Sequence, residues 1–155
     1  MSHRVIIDTN LLCLLAVGRV GVDWIARHKR LQAYNALDYE LLAQVLGGFT
    51  HWVTTPHILA ETSNLIRQTS NPLASLASVS LAELILQSDE LAVSGVTVVK
   101  IPEYVRLGVT DAAILALLAD GCSLVSVDFD LYIASVAAGH SAINFNHLRE
   151  DAGLL

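Results

Sequence analysis

Four carboxylic acids interrupt runs of this chain that are otherwise mostly apolar: Asp8 in RVIIDTN, Glu61 in HILAETSNL, Asp111 in VTDAAILAL and Asp128 in LVSVDFD. A carboxylate removed from water is costly unless something compensates its charge, whether backbone amides, a basic side chain or a cation. Asp8 and Asp128 each close a β-rich run, and Asp130 stands just past the second of them. Glu61 has Ile58 three residues before it and Leu65 four after, the spacing of one helix face. Asp111 shares such a stripe with Ile114, Leu115 and Leu118. Each acid also admits a local role. Asp8 and Asp128 suit the amides of strand-to-helix turns, Asp111 follows Thr110 as a first-turn acid follows an N-cap, and Glu61 suits an arginine partner. None of these local roles requires several of the acids to fall at the same end of a sheet.

The elements that must position them follow from hydrophobic patterning. RVIIDTN followed by LLCLLAVG predicts a strand, a tight turn and a helix. HWVTT at 51–55 predicts a second strand, and Thr55 and Pro56 stand where an N-cap and a first helical residue belong, before HILAETSNLIRQ. VTVVKI at 96–101, LVSVD at 124–128 and SAINF at 141–145 predict three more strands, with helices at 73–88, 110–120 and 130–138. Such alternation implies an α/β fold with a central, mostly parallel five-stranded sheet flanked by helices. Ligands of parallel sheets bind beyond the carboxyl ends of the strands, which is where Asp8 and Asp128 fall. Residues 19–50 break the alternation. They predict a helical insertion after the first βα unit, with Leu37, Leu41 and Val45 at helical spacing in AYNALDYELLAQVL. Its Arg27, His28, Lys29 and Arg30 form the densest basic cluster, either a solvated helix end or a phosphate-contacting patch.

With 155 residues the chain is most simply one domain, 1–155. Cys13 and Cys122 lie inside apolar runs and read as core residues. The absence of a charged leader and of any apolar run of about 18 residues points to a cytoplasmic protein with no membrane contact. Net charge is −6, and from Asn71 onward three Lys or Arg face ten Asp or Glu. That balance excludes a general polyanion-coating protein, unless a metal bridges acid to phosphate. The six histidines show no ligand spacing, and His57 reads as a helix-start residue.

Taken together, VIIDTN at 5–10, Glu61 within TPHILAETSNL, Asp111 within VTDAAILAL and LVSVDFD at 124–130 resemble the PIN-domain nucleases, including the VapC-type toxins of toxin–antitoxin pairs. The resemblance runs from Val5 to about Asn146, and its order and spacing carry it more than any one motif. It implies a single PIN-like domain acting as a metal-dependent endoribonuclease. By the same resemblance Asp8, Glu61, Asp111 and Asp128 are catalytic and hold Mg²⁺ or Mn²⁺, Asp130 is an accessory metal-binding acid, and Asn10 and Thr110 support them. Asp8, Glu61 and Asp111 would hold the main ion, with Asp128 and Asp130 placing a second ion or the attacking water. An acid-only donor set suits these hard cations and is poor for zinc. RNA is the implied substrate, with Arg27, Lys29 and Arg30 as candidate contacts; an antitoxin protein and a second copy of the chain are the implied partners. A haloacid-dehalogenase-type phosphatase would carry Asp where Asn10 stands, and a receiver domain would need paired early acids and a late strand-end lysine. The alternative outside enzymology is a PIN-like binding module that acts through a protein partner. The long segment 19–50 and the scarcity of basic residues depart from the family pattern.

Overall fold

A computed structural model describes residues 3–155. The chain opens with β1 (Arg4–Ile7), whose Val5, Ile6 and Ile7 are all buried. Burial on both faces is what a central parallel strand requires, and it explains the unbroken apolar run. α1 (Thr9–Val20) follows at once and is enclosed on every side from Leu11 to Gly18. Gly18 is needed there because a Cβ would overlap the Tyr39 ring. After α1 come two short 3-10 helices, Val22–Arg27 and Lys29–Leu31, then α2 (Ala36–Leu46), so residues 19–50 are a helical insertion as expected.

The alternation resumes with β2 (His51–Thr54), α3 (Pro56–Ile66), α4 (Leu73–Leu86) and the two-residue β3 (Asp89–Glu90). Short helices α5 (Gly95–Val98) and α6 (Tyr104–Leu107) lead into α7 (Val109–Ala119), β4 (Ser123–Ser126), α8 (Phe129–Ala137), β5 (Ala142–Asn144) and α9 (Phe145–Asp151). The five strands are all parallel, in the order β3-β2-β1-β4-β5, with Ile6 opposite Val53 and Ile7 opposite Val125. The chain thus builds outward from β1 through β2 to β3, then crosses back to lay β4 and β5 on the other side. The order reverses between β1 and β4, so the carboxyl ends of those two strands flank the crevice that this topology opens. Among the described residues no helix is long and apolar enough to cross a membrane.

Three sequence expectations are corrected. VTVVKI is not a strand: 95–98 is helical, and the edge strand is Asp89–Glu90. The Ser94 hydroxyl accepts from Thr97 N and starts a helical turn that buries Val98 while leaving Val96 and Val99 exposed. Val98 then meets Ile101 and Tyr104 over Ala112 and Ala113 of α7, so helical spacing overrides the β-branched composition. In α2 the buried face is Asp38, Leu42 and Leu46, one position on from Leu37, Leu41 and Val45. The shift follows from Asp38, whose Oδ1 accepts from Arg149 Nε at 2.8 Å while its Oδ2 accepts from Asn35 N. His28, within the basic cluster, is fully buried. Arg30 N donates to its Nδ1, so its Nε2 carries the proton and donates to Ile66 O at 3.1 Å, pinning the insertion to the end of α3.

Candidate functional site

Asp8 is held by both strands that flank the crevice. It is the N-cap of α1, its Oδ1 accepting from Leu11 N at 3.1 Å. Its Oδ2 accepts from Val127 N at 2.9 Å and from the Ser126 hydroxyl at the end of β4. Ser126 Oγ in turn accepts from Asp128 N at 2.9 Å. One serine thereby ties the first acid to the backbone of the fourth. Asp8 is buried, and burial pushes its carboxyl up from the ordinary value, against the lowering effect of these hydrogen bonds.

Asp128 caps α8 as Asp8 caps α1, its Oδ1 accepting from Leu131 N at 3.0 Å. The local role open to both acids is therefore real. It does not use them up, because both also line a cleft of ≈ 310 Å³ shared with Glu61 and Asp111. Thr9, Asn10 and Thr110 line the same cleft, with Leu107, Gly108 and Val109 as its apolar wall. Gly108 enters α7 at φ 91°, a conformation that L side chains rarely adopt.

Glu61 is where expectation and structure part. The buried face of α3 is Ile58, Thr62 and Ile66, and Glu61 lies one step round the helix, open to the cleft. Among the described residues no arginine forms an ion pair with it. Its Oε1 accepts from Thr110 Oγ1 at 2.7 Å and its Oε2 from Thr9 Oγ1 at 3.2 Å. Two hydroxyls from two other helices thus hold the carboxylate between α1, α3 and α7. Thr110 is not the N-cap of α7, because the helix already begins at Val109 with Gly108 in the cap position, and Asp111 sits in the first turn. Asp111 is half-buried with its carboxyl pushed up to about 7, first by burial and then by the charges of Asp128, Asp8 and Glu61. Asp111 therefore feels the other three acids across a single cleft.

No family model, curated protein or solved structure matches this chain.

Among the described residues the lining of the cleft offers carboxylates, hydroxyls and one amide, with no His or Cys. That oxygen-rich donor set fits a hard divalent cation. Among the described residues no group of three or more His, Cys, Asp and Glu side chains forms a ready-made metal cage. The fit is one of donor chemistry and mutual repulsion relieved, not of a closed coordination shell. Asn10 falls in the cleft as expected, whereas Asp130 does not line it and lies exposed in the first turn of α8. Its charge there suits the helix dipole. Arg27, Lys29 and Arg30 also do not line the cleft; they are exposed on the 3-10 segments, and Arg27 lies 5.0 Å over the Trp24 ring. His57 is half-buried at the start of α3, outside the cleft lining, and its Nδ1 has no hydrogen-bond partner. Sequence reasoning missed Ser126 and Thr9. Both stand within two residues of an acid, a signal too common in strand-to-helix turns to select them.

Proposed function

We propose that the protein is a Mg²⁺- or Mn²⁺-dependent endoribonuclease of the PIN type, the toxin of a toxin–antitoxin pair. The observation that carries this reading is the gathering of Asp8, Glu61, Asp111 and Asp128 around one cleft at the point where strand order reverses. Sequence resemblance supplies the reaction class; the cleft supports it because its donors suit the cation that such hydrolysis uses. Glu61, Asp111, Asp8 and Asp128 would hold the ion, with Thr9 and Thr110 keeping the Glu61 carboxylate turned toward it. The bound ion would supply an acidified water and offset charge on the phosphodiester.

The protein's own residues do the rest. Ser126 fixes Asp8 by donating to Oδ2, so that acid cannot swing out of the cleft. The first turns of α1 and α7 present their positive ends to it, which lowers the cost of gathering four negative charges. In the metal-free cleft burial and the neighbouring acids push the Asp111 carboxyl up, and a bound cation would return it to the charged form that holds the ion. An antitoxin that silences this site needs a basic side chain to enter the acidic cleft, and a second copy of the chain completes the family arrangement.

A binding module that works through a protein partner is the second reading, favoured by one observation: among the described residues no lysine or arginine lines the cleft. Calorimetric titration with Mn²⁺ separates both readings from a cleft that is only structural. The metal site predicts a saturable heat that Glu61→Gln and Asp111→Asn each weaken by roughly 10- to 100-fold in affinity. Equal heats for the parent and both variants would end it.

A further inference from the structure

Because the cleft lining is without lysine or arginine, RNA reaching it needs a hold at the rim. Two residues adjoin the lining there. Phe129 directly follows Asp128 and is 61% exposed, whereas Phe49 and Phe145 are buried. Consecutive Cα atoms lie about 3.8 Å apart, so the Phe129 backbone is one such step from the lining residue Asp128. Arg106 directly precedes the wall residue Leu107, is exposed, and has no ion-pair or hydrogen-bond partner for its side chain among the described residues. An exposed aromatic ring and a guanidinium without a partner, each one residue along the chain from the lining of one acidic cleft, supply the two parts of a single-strand grip: a stacking platform and a phosphate anchor.

We propose that Phe129 and Arg106 hold single-stranded RNA at the rim of the cleft, the ring stacking on one unpaired base and the guanidinium holding a nearby phosphate. This rests on the ribonuclease reading above. Stacking is open only to bases that can be splayed from their neighbours, so the grip selects single strands over duplex. It also explains how so acidic a protein holds a polyanion: most of the grip is aromatic, and the cation it uses is not neutralised by an acid. Ile133 and Val136 continue the exposed stripe of α8 beyond Phe129, a face that also suits a protein partner. Arg106 lies on α6, off that stripe, and the experiment separates the two.

The test uses the full chain with a labelled RNA, single-stranded or annealed to its complement. Cleavage is followed in Mn²⁺, binding by anisotropy in Ca²⁺, and self-association by sedimentation. Phe129→Ala should raise KM and Kd for the single strand by roughly 5- to 150-fold with kcat within about twofold, and Phe129→Trp should restore binding. Arg106→Ala should lower the slope of log affinity against log salt by about 0.7. Both side chains are exposed, so melting temperatures should stay within about 2 °C of the parent. Unchanged KM in Phe129→Ala, with the parent cleaving RNA, overturns the grip and leaves the nuclease standing. Binding that depends on Phe129 without any Mn²⁺-dependent cleavage keeps the grip and removes the nuclease. Equal affinity for duplex and single strand overturns the grip, as does a Phe129→Ala variant that binds RNA normally but loses a dimer. A parent that neither binds nor cleaves RNA overturns both.

Discussion

Single residues at this site serve two purposes at once, and the consequences differ from acid to acid. Asp8 Oδ2 accepts from both Val127 N and the Ser126 hydroxyl, so an amide group turned there would set a donor against donors. Asp8→Asn should therefore lower metal-free stability, by about 1 to 3 kcal/mol for a buried group left unsatisfied. Asp111 is the opposite case, because among the described residues no side-chain hydrogen bond requires its charge. Its carboxyl is raised from 3.8 to about 7 by burial and by the other acids. The folded chain then keeps a proton that the unfolded chain has lost at any pH between those two values. Folding stability in the absence of metal should fall as pH rises from about 4 through about 7, where protons bound by the folded state exceed those bound by the unfolded state. Asp8, also raised, contributes in the same direction. Urea titrations at a series of pH values should show a shallower fall in Asp111→Asn than in the parent. A fall equally steep in both would remove Asp111 from the acid cluster.

At the scale of elements, legibility followed the physics that dominates each segment. β1, β2, β4 and β5, with their helices, were readable because a buried parallel strand must be apolar throughout and its helix must start on a cap; Thr55 and Pro56 mark such a start and occupy it. The third strand was misplaced because the β-branched run favours a strand, and the Ser94 cap with the burial of Val98 overrides that preference. Glu61 was readable as a site residue but on wrong grounds, since it faces the cleft beside the apolar stripe rather than within it. Contacts between distant segments left no local trace. Chief among them is the buried pair of Asp38 and Arg149, which joins α2 to α9 with further bonds from Arg149 to Ala33 O and Asn146 Oδ1. Removing one partner strands the other charge in the interior, so Asp38→Ala should cost about 3 to 5 kcal/mol in chemical denaturation. A loss under about 1 kcal/mol, the scale of an exposed pair, would show that α9 does not depend on it.

For the whole molecule, four acids in one cleft make the metal-free fold a compromise. Any cation that binds only the folded chain stabilises it by mass action, by about 2.7 kcal/mol at a hundred times its Kd. Millimolar Mn²⁺ should raise the melting temperature of the parent by several degrees and that of Asp111→Asn by much less; a melting curve that Mn²⁺ leaves unmoved would count against the site. The sheet topology brings the acids together from positions 8, 61, 111 and 128, which is why their spacing along the chain alone could not reveal a common site. The most direct measurement is Mn²⁺-dependent cleavage of single-stranded RNA by the parent and by Glu61→Gln, Asp111→Asn and Asp128→Asn, with metal-free melting of each alongside. A metal-dependent ribonuclease gives cleavage in the parent, losses of roughly 100-fold or more in each variant, and metal-free melting that is level or higher in Glu61→Gln and Asp111→Asn. Variants that melt lower without metal and still cleave RNA at the parent's rate would contradict it.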